Sequence, residues 1–143
     1  MRTGDLIAVD LDGVLAQYDG WKGIDQIGDP MPNAAKFIRA LMTLGSVMIY
    51  STRTCPDQNH GRDAEELAQY VTSWLRKHEI PYDSVWVGDG KPAAVAYIDD
   101  RAVTCRPADD GITAYAEALL AVQKLIKGGR EEEREGRQEA AGA

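Results

Sequence analysis

Two pairs of aspartates stand where their spacing could do chemistry. In LIAVDLDG, Asp10 and Asp12 are separated by one residue and followed directly by Gly13. Side chains alternate along a strand, so an i, i+2 pair points one way, and a glycine lets the chain turn sharply aside. A second pair, Asp99 and Asp100, closes the apolar run VAYI. Bringing like charges to about 4 Å costs on the order of 4 kcal/mol per pair at an effective dielectric of 20, so such a cluster calls for a cation. Its ligands are hard oxygens, which makes Mg²⁺ the natural one. Between the pairs lie Ser51 and Arg53 in VMIYSTR, and Lys91 in GDGKPAA. A hydroxyl and an ammonium converging on the same edge would hold phosphate oxygens through hydrogen bonds and charge.

These residues need elements that bring them together. Short β-rich runs alternate with longer helical patterns, the signature of βαβ units around a parallel sheet. LIAVDL (6–11) reads as a central buried strand, and VMIYS (47–51), SVWV (84–87) and VAYID (95–99) as further strands, with a possible edge strand at AVTC (102–105). Asn33 is placed to cap a helix through AAKFIRALMTL, whose Phe37, Ile38, Leu41 and Leu44 recur at helical spacing and stop at Gly45. From Arg62 to His78, residues Leu67, Tyr70, Val71, Trp74 and Leu75 share a helical face. A proline after Lys91 is placed to open a helical turn. A last helix is expected from Ile112 to Lys127, ended by Gly128 and Gly129. Right-handed crossovers would gather the Asp-bearing strand ends at the carboxyl edge, where open α/β sheets place their sites.

The order of parts is distinctive. A strand with DxDG, a strand with Ser, a Lys, then a strand with DD is similar to the four-motif pattern of haloacid dehalogenase (HAD) superfamily phosphatases, over Asp10 to Asp100. KPAAVAYIDDRAV, and DGWKG followed by IGDPMP, look most like the small capless phage and bacterial HAD hydrolases and the 3′-phosphatase part of polynucleotide kinases. The resemblance implies an α/β, HAD-like Rossmannoid fold: a parallel sheet with helices on both faces and a minimal or absent cap. It also implies roles. Asp10 would attack phosphorus to give an aspartyl-phosphate and bind Mg²⁺ through its other oxygen. Asp12 would protonate the leaving oxygen, then activate water, while its backbone carbonyl reaches the metal. Ser51 and Lys91 would position the phosphoryl group. Of the second pair, either Asp99 or Asp100 would be the direct metal ligand; the resemblance favours Asp99, with Asp100 binding through water or fixing Lys91. Val14 and Ser51 stand where threonine is common in the family.

Other residues carry weaker signals. Arg53 is a candidate for a substrate phosphate; Arg101 is open between that and pairing with a sheet-edge carboxylate. Trp21 and Lys22 fall where HAD enzymes carry a flap, so Trp21 either stacks on a substrate ring or packs beneath the flap. His60, on a polar loop, and His78, at a helix end, receive no role. The expected substrate is a phosphomonoester, with a nucleotide or nucleic-acid end favoured over sugar or metabolite phosphates; the alternative class is a non-catalytic phosphate-binding module of this fold.

Composition bounds these readings. The chain has 143 residues, 44% hydrophobic and 27% charged, as one globular domain would. Residues 1–128 are expected to form that domain and 129–143 a disordered charged tail. Net charge is −7, which argues against a broad grip on a nucleic-acid backbone. Cys55 and Cys105 make no disulfide framework, so a reducing cytoplasmic location is expected, with no membrane association and no obligate protein partner evident.

Overall fold

The computed structural model describes residues 4–56, 59–88 and 90–142, with side chains up to residue 129. The chain divides into two compact units, Met1–Asp100 and Arg101–Ala143. The first holds β1 (Leu6–Val9), α1 (Ala34–Leu41), β2 (Ser46–Ile49), α2 (Ala64–Lys77), β3 (Ser84–Val85) and β4 (Ala96–Ile98). The strands form one all-parallel sheet in the order β3-β2-β1-β4. The architecture is a small α/β domain without a cap.

β1 sits inside the sheet because its side chains are buried on both faces: Ile7, Ala8 and Val9 are all at most 6% exposed. Its register pairs Ile7 with Val47 and Ala96, and Val9 with Ile49 and Ile98. Alternation therefore puts these apolar side chains on one face. There they join Ile38 of α1 and Val71, Trp74 and Leu75 of α2 in a single core. Both helices pack on this face, as right-handed crossovers running the same way from β1 to β2 to β3 require.

The helices follow the expected patterns with local differences. α2 starts at Asp63, whose side chain accepts from the Glu65 N–H, and it carries Glu65 and Glu66 in its first turn and Arg76 and Lys77 in its last. That polarity complements the helix dipole. Asn33 does stand at the start of α1, but in the left-handed region (φ 68°) and with no side-chain cap bond. Of the expected α1 face, Ile38 and Leu41 pack on the core, while Phe37 and Leu44 are exposed. No helical turn opens after Lys91, since residues 91–94 take no regular structure.

The second unit has a short helix α3 (Pro107–Asp110) that opens on a proline, then α4 (Ile112–Gly142). No strand forms over 102–105. The last helix does not stop at Gly128 and Gly129 as its pattern suggested. Each glycine costs a helix about 1 kcal/mol, which flanking Glu, Arg, Gln and Ala, all good or tolerable helix formers, can offset. The side chains of the expected tail from Arg130 onward, and Asp89 of GDGKPAA, lie outside the described residues. Among the described residues, no helix is long and apolar enough to cross a membrane.

Candidate active site

The site is built on the carboxyl end of β1. The ladder continues one residue beyond the strand on both sides: the Asp10 N–H donates to the Ile98 carbonyl at 2.9 Å and the Tyr50 N–H to the Val9 carbonyl at 3.0 Å. Asp10 is thereby fixed between β2 and β4. Its Oδ1 accepts from the Leu11 N–H at 2.8 Å, which leaves Oδ2 for the opening. Leu11 then anchors a tight loop, accepting from the N–H groups of Leu15 and Ala16. Gly13 (φ 84°) completes that loop, and a Cβ there would run into the Asp100 carboxylate. This is where the glycine after DxD is required: it allows β1 and the end of β4 to bring their acids together.

Carboxylate oxygens of Asp10, Asp99 and Asp100 all lie within 4.8 Å of one another. Burial pushes the Asp10 carboxyl up to about 7; the Leu11 N–H opposes the rise, and repulsion from Asp99, Asp100 and Asp12 adds to it. Asp99 also accepts a 2.8 Å hydrogen bond from the Tyr50 hydroxyl, and burial together with that bond drives the phenol well above its ordinary range. Three hard oxygen donors this close could hold a metal cation, whose charge would remove the repulsion. Of the four acids expected to bind the metal, these three bring their carboxylates together; Asp12 was expected to offer its backbone carbonyl.

Asp12 is turned elsewhere. Its carboxylate meets Arg53 in a two-pronged pair, Nε to Oδ2 at 2.6 Å and Nη2 to Oδ1 at 3.0 Å. Only 2% of Arg53 is exposed. Its remaining N–H groups reach main-chain carbonyls: Nη1 those of Gly23 and Ile24 at 3.3 Å, and Nη2 that of Gln26 at 3.1 Å. The five N–H donors of a guanidinium are thus all directed at protein acceptors. In this arrangement Arg53 is not turned to a substrate phosphate, because Asp12 and the flap hold it.

The flap itself is a pinched loop. Its ends pair through Gln17 N–H to the Asp29 carbonyl at 2.8 Å and Met31 N–H to the Leu15 carbonyl at 2.7 Å. Gly28 lies so close to the Gln17 carbonyl that a Cβ there would overlap it, and its own carbonyl accepts from the Trp74 indole at 2.9 Å. At the tip, the ring of Trp21 stacks on the Arg53 guanidinium, 4.7 Å from its centroid. Trp21 is still 54% exposed. Lys22 pairs with Asp19 on the surface.

Ser51 is buried at the start of a 3₁₀ turn (Thr52–Thr54), with its hydroxyl oxygen accepting from the Arg53 N–H at 3.2 Å. The turn is fastened by Thr54, which donates to the Trp86 carbonyl at 2.7 Å, and by Asn59, which donates to the carbonyls of Thr52 and Cys55. Lys91 rests its ammonium over the ring of Tyr97, 4.4 Å from the centroid. That ring packs edge-on against Tyr50. The lysine therefore joins the Asp99 side of the site through two tyrosines.

Tyr50 and Tyr97 were not singled out from the sequence. The available signal was position: Tyr50 directly precedes Ser51, and Tyr97 lies two residues before Asp99, on the same side of the strand. His60 and His78 keep no site role; His78 caps α2 and packs on Trp74.

A parallel α/β sheet with an acidic cluster at its carboxyl edge is consistent with a HAD-like fold. A crystal structure of a structural-genomics target from Vibrio cholerae is similar to this chain at 27% identity, over 84% of this chain and 98% of that one, with a TM-score of 0.47. No family model and no curated protein matches.

Proposed function

We propose that this chain is a Mg²⁺-dependent phosphomonoester hydrolase of the HAD type, working through an aspartyl-phosphate. The observation that carries this reading is the Asp10, Asp99 and Asp100 cluster at the end of a buried central strand. These carboxylates would hold the ion, which when bound supplies charge neutralisation for the phosphoryl oxygens and keeps Asp10 ionised. Oδ2 of Asp10 attacks phosphorus, forming one P–O bond as the ester P–O bond breaks. Asp12, ion-paired through both oxygens with Arg53 in this structure, would take up a proton from solvent as the substrate's own negative charge enters the site, and give it to the departing oxygen. It then takes one from the water that attacks the aspartyl-phosphate, releasing inorganic phosphate and restoring Asp10. The Ser51 hydroxyl has its proton free to donate to a phosphoryl oxygen, and Lys91 has the reach to swing from Tyr97 to the same group.

Substrate choice is the finer part of the proposal. A capless site with an exposed Trp21 above it suits a phosphate at the end of a nucleotide or nucleic acid. One face of that ring lies on Arg53 and the other is open to stack on a base, for about 1–3 kcal/mol.

The test is phosphate release with Mg²⁺ over mononucleotides, 3′-phosphorylated oligonucleotides and sugar phosphates, for the wild type and Asp10→Asn. Metal-dependent release by the wild type alone is expected. Release equally fast from Asp10→Asn, free of deamidation, or none across the panel, overturns the reading.

A further inference from the structure

Asp12 and the flap share one partner. The edge of Arg53 formed by Nε and Nη2 grips both oxygens of Asp12, and Nη1 and Nη2 hold the carbonyls of Gly23, Ile24 and Gln26. Those carbonyls belong to one turn, closed by the Gln26 N–H on the Gly23 carbonyl at 3.2 Å. The guanidinium is planar and rigid, so fixing one edge fixes the direction of the other. It is also buried, so each of its bonds is costly to leave unmade.

We propose that Arg53 is a positioning residue that couples the flap to Asp12: the guanidinium that seats the 23–26 turn also orients the proton-transfer carboxylate. It rests on the phosphatase reading only for its catalytic consequence, because the mechanical coupling is independent of any chemistry. Four acids crowd this edge, and among the described residues it is Arg53 that draws Asp12 away from Asp10. With it, Asp12 is held beside the cation cluster but outside it. Coupling of this kind is reciprocal. Loss of the Asp12 carboxylate must loosen the flap, although Asp12 is not part of the flap.

Lys22 offers a readout, since its side chain is 61% exposed at the flap tip. Limited trypsin digestion of the full chain, followed by mass spectrometry, compares cleavage after Lys22 with cleavage after Lys77 at the end of α2. In Arg53→Lys and Arg53→Ala, cleavage after Lys22 should rise at least tenfold relative to Lys77. In Asp12→Asn, which retains the arginine and guards against misfolding of the Arg53 variants, it should rise at least threefold. Asp10→Asn should leave the ratio unchanged. On the catalytic side, Arg53→Lys should lose at least tenfold more kcat on an alkyl phosphate than on an activated aryl phosphate, with KM within threefold of wild type. A Lys22 ratio that rises only in the Arg53 variants, or in none, overturns the coupling, as does an equal loss on both esters carried by KM. A chain with no phosphatase activity but a reciprocal change in cleavage retains the coupling and loses the proposed reaction.

Discussion

The two flanks of the sheet's carboxyl edge handle negative charge differently. On the flap flank, Asp12 is matched within the chain by a buried arginine that also ties down three carbonyls. On the opposite flank, Asp10, Asp99 and Asp100 face one another, and burial with mutual repulsion pushes Asp10 up to about 7. A phenol hydrogen bond from Tyr50 to Asp99 is neutral and does not offset that charge. On the first flank the chain itself supplies the countercharge; the second gathers three carboxylates within reach of one cation. Under the proposed reaction, one site would combine an orienting device with a cation-binding cluster, two separate requirements of phosphoryl transfer.

The largest effect should come from the flank of Asp10, Asp99 and Asp100. Asp10→Asn is expected to reduce turnover by at least about a thousandfold, roughly 4 kcal/mol of barrier, with the circular-dichroism spectrum unchanged. Residual metal-dependent turnover near the wild-type rate would mean that repulsion at Asp10 has no catalytic counterpart.

The next concerns the flap flank. Asp12→Ala should slow alkyl phosphates by about a hundredfold more than activated aryl phosphates, because only poor leaving groups need the proton. Equal losses would erase the division of labour between the flanks.

Asp99→Ala probes the cation directly. Mg²⁺ at saturating concentration should raise the wild-type melting temperature by several degrees, as a ligand of the folded state alone does. The variant should lose most of that rise. No thermal shift in the wild type would show that the chain tolerates its acidic cluster unaided.

The smallest expected effect is on specificity. The kcat/KM for a 3′-phosphorylated dinucleotide should exceed that for glucose 6-phosphate by at least about tenfold, or ~1.4 kcal/mol. Trp21→Ala should remove most of this gap and spare aryl phosphate hydrolysis. A ratio unmoved by the substitution would assign Trp21 to packing on Arg53 alone.

How much of this was readable beforehand depended on the distance over which each effect acts. The period-2 alternation of a strand, the apolar run before each acid and the glycine after DxD are local features, and they sufficed to bring Asp10, Asp99 and Asp100 to one edge of a parallel sheet. Partner choice was not readable. Arg53 lies 41 residues from Asp12 and had equal reason, on charge alone, to face a phosphate. Tyr50 finds Asp99 across 49 residues, and Lys91 rests on the ring of Tyr97, a contact that the order of residues does not announce. The end of α4 and the left-handed Asn33 were missed for a related reason: single-residue preferences of about 1 kcal/mol decide an end only when nothing larger competes.

The sequence by itself determined the order of strands and helices along the chain, the placing of three acids at the carboxyl edge of the sheet and the chemistry that those acids invite. Backbone geometry and burial of apolar runs dictate these wherever the chain folds. Only the tertiary structure decided which cation meets which anion. Charges act through space and without regard to chain order, and burial fixes a long side chain such as Arg53 on the acceptors that the fold happens to bring within reach.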